Sequence, residues 1–341
     1  MKILVTGTNG FLGSALVERL LVHGERDIRC FVRQRTMPSR IAGWAEKFPG
    51  ASVETFVGDL KSSEDAQNAL TDVNVVYHLA AGIGGSAADM FLDTVVGSKN
   101  LLEGLDSNAS TRVILVSTFG VYGASGLPAG AVIDETTPLE SCPDRRDLYS
   151  HAKLRQELLF REYRDKCGFP LVVLRPGVIY GPGGRGMSTR VGVPLPGLFL
   201  FMGRNNLLPL TYVDNCAEAI VIAGLNGGDE GEAYNVVDDG APTAKEFFHL
   251  YRQHVEKIRY LALPYRATQV LSALIERYNR HSKGQLPAVL TPYKSGYLWK
   301  GNTFDNGKLK GIGWKQIVST EEGLVRFFCY LRETRVAGST G

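Results

Sequence analysis

Residues 2–6 form a short apolar run rich in β-branched side chains, and the pattern turns helical at once: over 11–23 the apolar residues fall at 12, 16, 17, 20 and 21. A period of two giving way to one of 3.6 marks a strand that feeds a helix. The alternation then repeats. Strands are predicted at 27–33, 52–57, 73–80 and 112–118, and helices over 39–47, 63–70, 87–107 and 147–166. PLVVLRPGVIYGPG (170–183) closes the series as a strand running into a glycine–proline loop.

Apolar runs bounded by turns and separated by helices predict parallel strands covered on both faces. Right-handed crossovers make of them a doubly wound α/β sheet. Past residue 184 the alternation loosens. Segments 211–224 and 243–257 read as helices, 261–277 as an amphipathic helix holding Pro264, and 183–197 as a mobile loop. The expected organisation is a sheet domain over 1–183 and a smaller C-terminal lobe over 184–335, with some segments returning to the sheet. Residues 336–341 read as a disordered tail.

Candidate chemistry begins at TGTNGFLG (6–13), where glycines stand at 7, 10 and 13 between the first strand and the first helix. Glycine there permits a tight turn and close backbone approach to a pyrophosphate, which the helix N-terminus attracts. The spacing is GxxGxxG rather than GxGxxG, so context carries the reading as a dinucleotide site. An acidic residue at the end of the second strand would bind the ribose of NAD. Here the strand ends in Val32 and Arg33, and a guanidinium suits a 2′-phosphate, favouring NADP over NAD. Asp59 in VGDL is placed to accept a hydrogen bond from adenine, or to cap the following helix.

VSTFGVYG (116–123) ends a strand and LYSHAK (148–153) opens a helix. Tyr149 and Lys153 lie four apart on one helix face. An ammonium beside the phenol would lower its pKa and make it an acid–base group for an alcohol–ketone pair. Ser117 or Thr118, at the strand end, would hold the reacting oxygen. YxxxK alone is a common chance match; behind a strand-borne hydroxyl and a glycine turn it becomes specific.

Composition narrows the class. Of 341 residues, 44% are hydrophobic and 21% charged, and the formal net charge is +3, too small to point to nucleic acid. Five separated cysteines (30, 142, 167, 216, 329) and six histidines without metal-ligand spacing read against a disulfide framework or a metal site and fit a reducing cytoplasm. Only three apolar residues precede Thr6–Gly7 after Met1–Lys2, which reads against a secretory signal, and no apolar run is long enough to span a bilayer.

Together TGTNGFLG, GDL (58–60), YHLAA (77–81), STFGVYG, YSHAK, LRPGVIYGPG, TYVDN and AYNVVD (233–238) resemble the extended short-chain dehydrogenase/reductase superfamily, in its NAD(P)-dependent epimerase/dehydratase group. The resemblance is strong over about residues 1–240. It implies a Rossmann fold, with Tyr149 as acid–base catalyst, Lys153 on the nicotinamide ribose and Thr118 in the catalytic Ser/Thr position. It further implies that Gly7, Gly10, Phe11 and Leu12 cradle the pyrophosphate, Asp59 and Leu60 the adenine, and Leu79, Ala80 and Ala81 the middle of the cofactor. The backbone near Pro176 and Val178 also approaches it. Relatives often dimerise through the helices corresponding to 87–107 and 147–166.

Two positions depart from that pattern. Val178 stands where nucleotide-sugar enzymes carry an asparagine that reaches the substrate diphosphate, and Thr94 replaces another common asparagine. The first shifts the expected substrate toward less polar secondary alcohols and ketones. A nucleotide-sugar epimerase or dehydratase retaining NAD is the alternative, helped by Arg185, Arg190 and Arg204 as phosphate partners. A non-catalytic cofactor sensor or partner-binding protein is the alternative of another class.

Overall fold

The computed structural model describes residues 1–33, 38–105, 111–184, 186–228, 230–281 and 290–339. The first half of the chain runs β1 (Lys2–Thr6), α1 (Phe11–Val22), β2 (Asp27–Val32), α2 (Pro38–Lys47), β3 (Ser52–Val57), α3 (Ser63–Ala69), β4 (Val75–His78), α4 (Ala87–Phe91), a π-turn (Leu92–Val96), α5 (Gly97–Glu103) and β5 (Arg112–Val116). A short strand β6 (Val132–Ile133) precedes α6 (Leu148–Cys167), β7 (Leu171–Pro176) and β8 (Val178–Tyr180). Then come β9 (Gly192–Leu195), β10 (Leu198–Phe201), β11 (Leu210–Tyr212), α7 (Val213–Asn226), β12 (Glu230–Val236) and α8 (Ala244–His254). The chain continues through β13 (Tyr260–Ala262), α9 (Tyr265–His281), α10 (Pro292–Gly296), β14 (Thr303–Phe304), α11 (Gly307–Gly311) and α12 (Thr320–Ser339).

Seven strands form one parallel sheet in the order β12-β7-β5-β4-β1-β2-β3. This is the doubly wound Rossmann arrangement. The chain enters in the middle, winds outward through β2 and β3, and returns to continue from β4, so the direction of winding reverses between β1 and β4. A crevice opens at the carboxyl ends of those two strands.

Residues alternate across the sheet as a pleat requires. Ile3 and Val5 face α1 and α7 in one buried cluster with Leu16, Leu20, Ala219 and Ile220, whereas Leu4, Val113 and Leu115 face α3, α5 and α6 with Ala66, Leu101 and Phe160. Burial on both faces is why the central strands β1, β4, β5 and β7 read as apolar runs, whereas the edge strand β3 is mostly exposed.

The second half differs more from its sequence pattern. Thr211 and Tyr212 belong to β11, and the helix starts only at Val213. The stretch expected as a mobile loop contains β9, which pairs antiparallel with β10 through a turn at Pro196–Gly197, Gly197 having φ +71°. Pro194 in β9 is tolerated because β9 lies at the sheet's edge. Residues 260–262 join β10 as a parallel strand, and Pro264, which cannot sit inside a helix, ends that segment just before α9. The helix expected over 87–107 carries the π-turn at Leu92–Val96, and residues 106–107 lie outside the described residues. At the end of the chain α12 runs through Ser339, so 336–339 is helix rather than disordered tail, and 340–341 lie outside the described residues.

Candidate active site

The strand order lays the sequence-singled residues in a row. Pro176 ends β7, Ser117 and Thr118 follow β5, Leu79–Ala81 follow β4, the glycine turn follows β1, Arg33 follows β2, and Asp59 and Leu60 follow β3. Neighbouring strands are all parallel, so every one of these residues lies at the same carboxyl edge.

At the centre, Gly7 has φ +76°, and a Cβ there would lie 3.1 Å from Ala80 N. On Gly13 a Cβ would lie 2.2 Å from Gly7 O, so the turn folds onto the first turn of α1. No side chain caps α1 at Gly10, and no acidic residue sits in its first turn. Its first N–H groups and positive dipole end are therefore left facing the crevice. A cradle that any side chain would fill, at an uncapped helix start, fits a pyrophosphate. The Phe11 side chain packs on the 181–184 loop, since a Cβ on Gly184 would lie 3.1 Å from its ring, and Leu12 packs into the core.

Across the crevice Thr6 ties β1 to β4. Its hydroxyl accepts from Leu79 N and Ala80 N, each at 3.2 Å, and meets His78 Nδ1 at 2.9 Å. His78 Nε2 reaches Ser98 Oγ at 2.9 Å, and Gln156 Nε2 donates to the same Ser98 Oγ at 2.7 Å. The π-turn supports this cluster: Thr94 O accepts from Ser98 Oγ at 2.5 Å, and Thr94 Oγ1 accepts from Gly82 N at 2.9 Å. Threonine at this position thus keeps a local polar contact. Burial pushes the His78 imidazole down to about 3, helped by the charge of Lys153.

Tyr149 and Lys153 stand on α6, whose first turn is capped by the Asp147 side chain accepting from Ser150 N. The Thr118 hydroxyl accepts from Gly120 N at 3.2 Å and lies near enough to the Tyr149 phenol to favour its ionised form. Ser117 points elsewhere, donating to buried Glu157 Oε2 at 2.6 Å. Lys153 is buried; its Nζ donates to Val116 O at 2.6 Å and to Gln156 Oε1.

Burial pushes the ammonium down to about 7, against the opposing pull of Glu157. The lowering of Tyr149 by Lys153 that the sequence suggested is not found. Burial first, then Asp147, push the phenol up to about 12, and the opposing pull comes from Thr118. The reason is that burial drops the Lys153 ammonium to about 7, so the lysine has lost its charge well before a phenol at about 12 ionises.

Beneath these groups lies a polar network that sequence reasoning missed. Arg175 donates to Glu157 Oε1 at 2.5 Å and to Oε2 at 3.2 Å, and its Nη1 donates to Tyr122 OH at 3.0 Å. Tyr122 in turn donates to Asn235 Oδ1 at 2.7 Å. Burial alone would raise Glu157, but the charge and hydrogen bonds of Arg175, with Arg161 and Ser117, outweigh it and hold the carboxyl below its ordinary range. The network ties β5, α6, β7 and β12 together behind the site. One signal was available: Glu157 follows Lys153 by four residues and so shares its helix face.

At the adenosine end Arg33 is exposed and donates to Asp93 Oδ2 at 3.0 Å. Lys61 lies 3.4 Å from Asp59 and 3.6 Å from Asp93. Ser62, not Asp59, caps α3, accepting from Asp65 N, which leaves the half-exposed Asp59 carboxylate beside the crevice. Leu60 is buried, and Asn100 Nδ2 donates to its carbonyl at 2.9 Å. Val178 opens β8 and its N–H donates to Pro209 O at 2.6 Å. Arg204 is exposed, Arg190 is half-buried in the lobe, and Arg185 lies outside the described residues. No group of three metal-ligating side chains occurs among the described residues.

Comparison with known proteins agrees with this geometry. The model of the NAD dependent epimerase/dehydratase family matches residues 3–237. The chain belongs to that family and is an oxidoreductase of it. It is 26% identical to the 2-alkyl-3-oxoalkanoate reductase of Shewanella oneidensis, over 94% of this chain and 84% of that one. It is 25% identical to the decarboxylating sterol-4-alpha-carboxylate 3-dehydrogenase of Saccharomyces cerevisiae, over 97% and 98%. Among solved structures, UDP-glucose 4-epimerase of Thermus thermophilus in complex with NAD superposes with a TM-score of 0.68 at 24% identity, covering 97% of this chain and 99% of that one.

Proposed function

We propose that the protein interconverts a secondary alcohol and a ketone, with Tyr149 exchanging the proton at the substrate oxygen and Thr118 holding that oxygen. The observation that carries this is the placement of the Thr118 hydroxyl, at the end of β5 on the sheet's carboxyl edge, beside the Tyr149 phenol at the start of α6, close enough to pull against the phenol's upward shift. Tyr149 is the proton donor when a ketone is reduced, and a phenol pushed up to about 12 stays protonated at neutral pH for that task. Lys153, fixed by Val116 and Gln156, lies one helical turn away on α6.

A nicotinamide dinucleotide would supply the hydride acceptor or donor. Gly7, Gly10 and the start of α1 would hold its pyrophosphate, Leu79–Ala81 its middle, Pro176–Val178 its nicotinamide end, and Asp59 with Leu60 its adenine. Arg33 and Lys61 would meet a 2′-phosphate, which supports NADP over NAD.

The names of the two curated relatives both describe acids, one reduced at a 3-oxo group and one oxidised at the 3-position of a carboxylated sterol. They support a carboxylate-bearing ketone or carbinol over a nucleotide sugar, as does Val178. Leu92, Val96, Leu148 and Leu158 are large, exposed apolar side chains on the π-turn and α6, and they support a homodimer through those helices. Five free cysteines suit a reducing cytoplasm. Among the described residues no helix is long and apolar enough to cross a membrane.

The test is Tyr149→Phe. Turnover of a 3-oxo acid with NADPH should fall by about 100-fold or more while dinucleotide binding survives; full turnover in this variant would overturn the assignment.

A further inference from the structure

A small cavity of about 20 Å³ lies beside Thr118, walled by Phe119 and Tyr122 and by the polar side chains of Arg146, Arg190, Tyr297 and Asn302. Its polar walls are incompletely paired. Arg146 has a side chain only 7% exposed, yet its Nη1 has no hydrogen-bond partner. The nearest carboxylate oxygen, Glu140 Oε2, stands 3.8 Å away, beyond hydrogen-bond reach, and is itself unpartnered. Asn302 is buried as well, with Oδ1 unpartnered. Leaving a buried charged donor unmade costs more than leaving a neutral one, so such a group implies a missing partner.

The charge balance says what kind of partner. The Arg146 guanidinium lies 5.6 Å and that of Arg190 5.1 Å from the centre of the same Tyr297 ring. Lys294 sits close enough that burial and the Arg146 charge push its ammonium down, against Asp147. On the acidic side Glu140 is already engaged through Oε1, which accepts from Tyr293 OH at 2.6 Å and Cys142 N at 2.9 Å. Three cations thus converge where two carboxylates, Glu140 and Asp147, face them, which leaves one positive charge over. The volume has room for one or two water-sized groups, which matches the two oxygens of a carboxylate and is too small for a diphosphate.

The cavity also adjoins the reacting groups. Arg146 Nη2 donates to Gly120 O at 3.4 Å, while Gly120 N donates to Thr118 Oγ1, and Arg146 precedes Tyr149 by three residues. We propose that this cavity is the substrate's carboxylate subsite, with Arg146 as its buried anchor and Arg190 as its second cation. The enzyme then selects hydroxy or oxo acids whose carboxylate lies within a few bonds of the reacting carbon. The proposal rests on the alcohol–ketone reading above, but binding tests it apart from turnover.

The experiment compares octanoate with octanamide, its neutral isostere, by calorimetric titration of the full chain in the presence of NADP. Octanoate should bind at least tenfold more tightly. Arg146→Met, and separately Arg190→Gln, should erase that preference, whereas Tyr149→Phe should retain it. Should Arg146→Met fail to fold because Glu140 is left buried without its cation, the double variant Glu140→Gln/Arg146→Met removes both charges and should show the same loss. Equal affinity of the wild-type chain for acid and amide would mean the cavity holds only water and would overturn the proposal, whatever turnover shows. Loss of turnover with the acid preference intact would instead overturn the alcohol–ketone reading alone.

Discussion

Ser117 donates its hydroxyl to Glu157 Oε2 at 2.6 Å, and that bond decides which of two adjacent hydroxyls serves the site. With Ser117 turned into the Glu157–Arg175 network, Thr118 alone meets Tyr149. Ser117→Ala should therefore cost about 1–3 kcal/mol of stability, because a buried carboxylate loses a donor, and leave turnover nearly intact. Thr118→Val should do the reverse, lowering kcat by about 100-fold with little change in Tm. Paired kinetics and thermal melts check this; comparable kcat losses in both variants would refute the division of labour.

Acid sensitivity should centre on His78. Its folded-state pKa, about 3, lies below the ordinary value of 6.5. Between those two pH values the unfolded chain holds the extra proton, so stability falls as pH drops through that window, by at most about 1.4 kcal/mol per pH unit. Above pH 6.5 the group contributes no slope. Denaturant melts of His78→Asn should show a shallower loss between pH 6 and 4 than the wild type does.

Arg33 should set cofactor choice. The wild-type chain is expected to bind NADP more tightly than NAD, and Arg33→Asp should reverse the order, with about a 10- to 100-fold loss for NADP. Fluorescence titration with both dinucleotides measures it. A wild-type preference for NAD would end the argument.

Gly13→Ala should damage the phosphate cradle more than Gly10→Ala does. The added Cβ would meet Gly7 O at 2.2 Å in the first case and at 3.1 Å in the second. Dinucleotide affinity should drop at least tenfold for Gly13→Ala, and Tm should fall with it. Unchanged affinity would show that the turn does not grip the cofactor.

The alternation of strand and helix through the first half was legible because each element there carries a complete local signal. A strand buried on both faces is apolar throughout, a helix is striped, and glycine marks the turn between them. That order, with the Tyr149–Lys153 spacing, was enough to place the row of residues along the sheet's carboxyl edge. Elements whose partners lie far along the chain were hidden. Strand β9 contains a proline and exists through its pairing with β10, and β13 reads as the start of a helix until β10 pairs with it.

The resemblance already put Thr118 in the catalytic position, but only the tertiary structure supplies the physical reason that Ser117 is turned away, because that depends on Glu157, forty positions away in sequence. The tertiary structure alone could join Arg175 to Tyr122 and Asn235, turn Lys153 toward Gln156, and bring Arg146 and Arg190 to one ring. Periodicity records which face of an element is buried. Which buried polar groups meet is set by the packing of distant elements, and no local pattern carries that information.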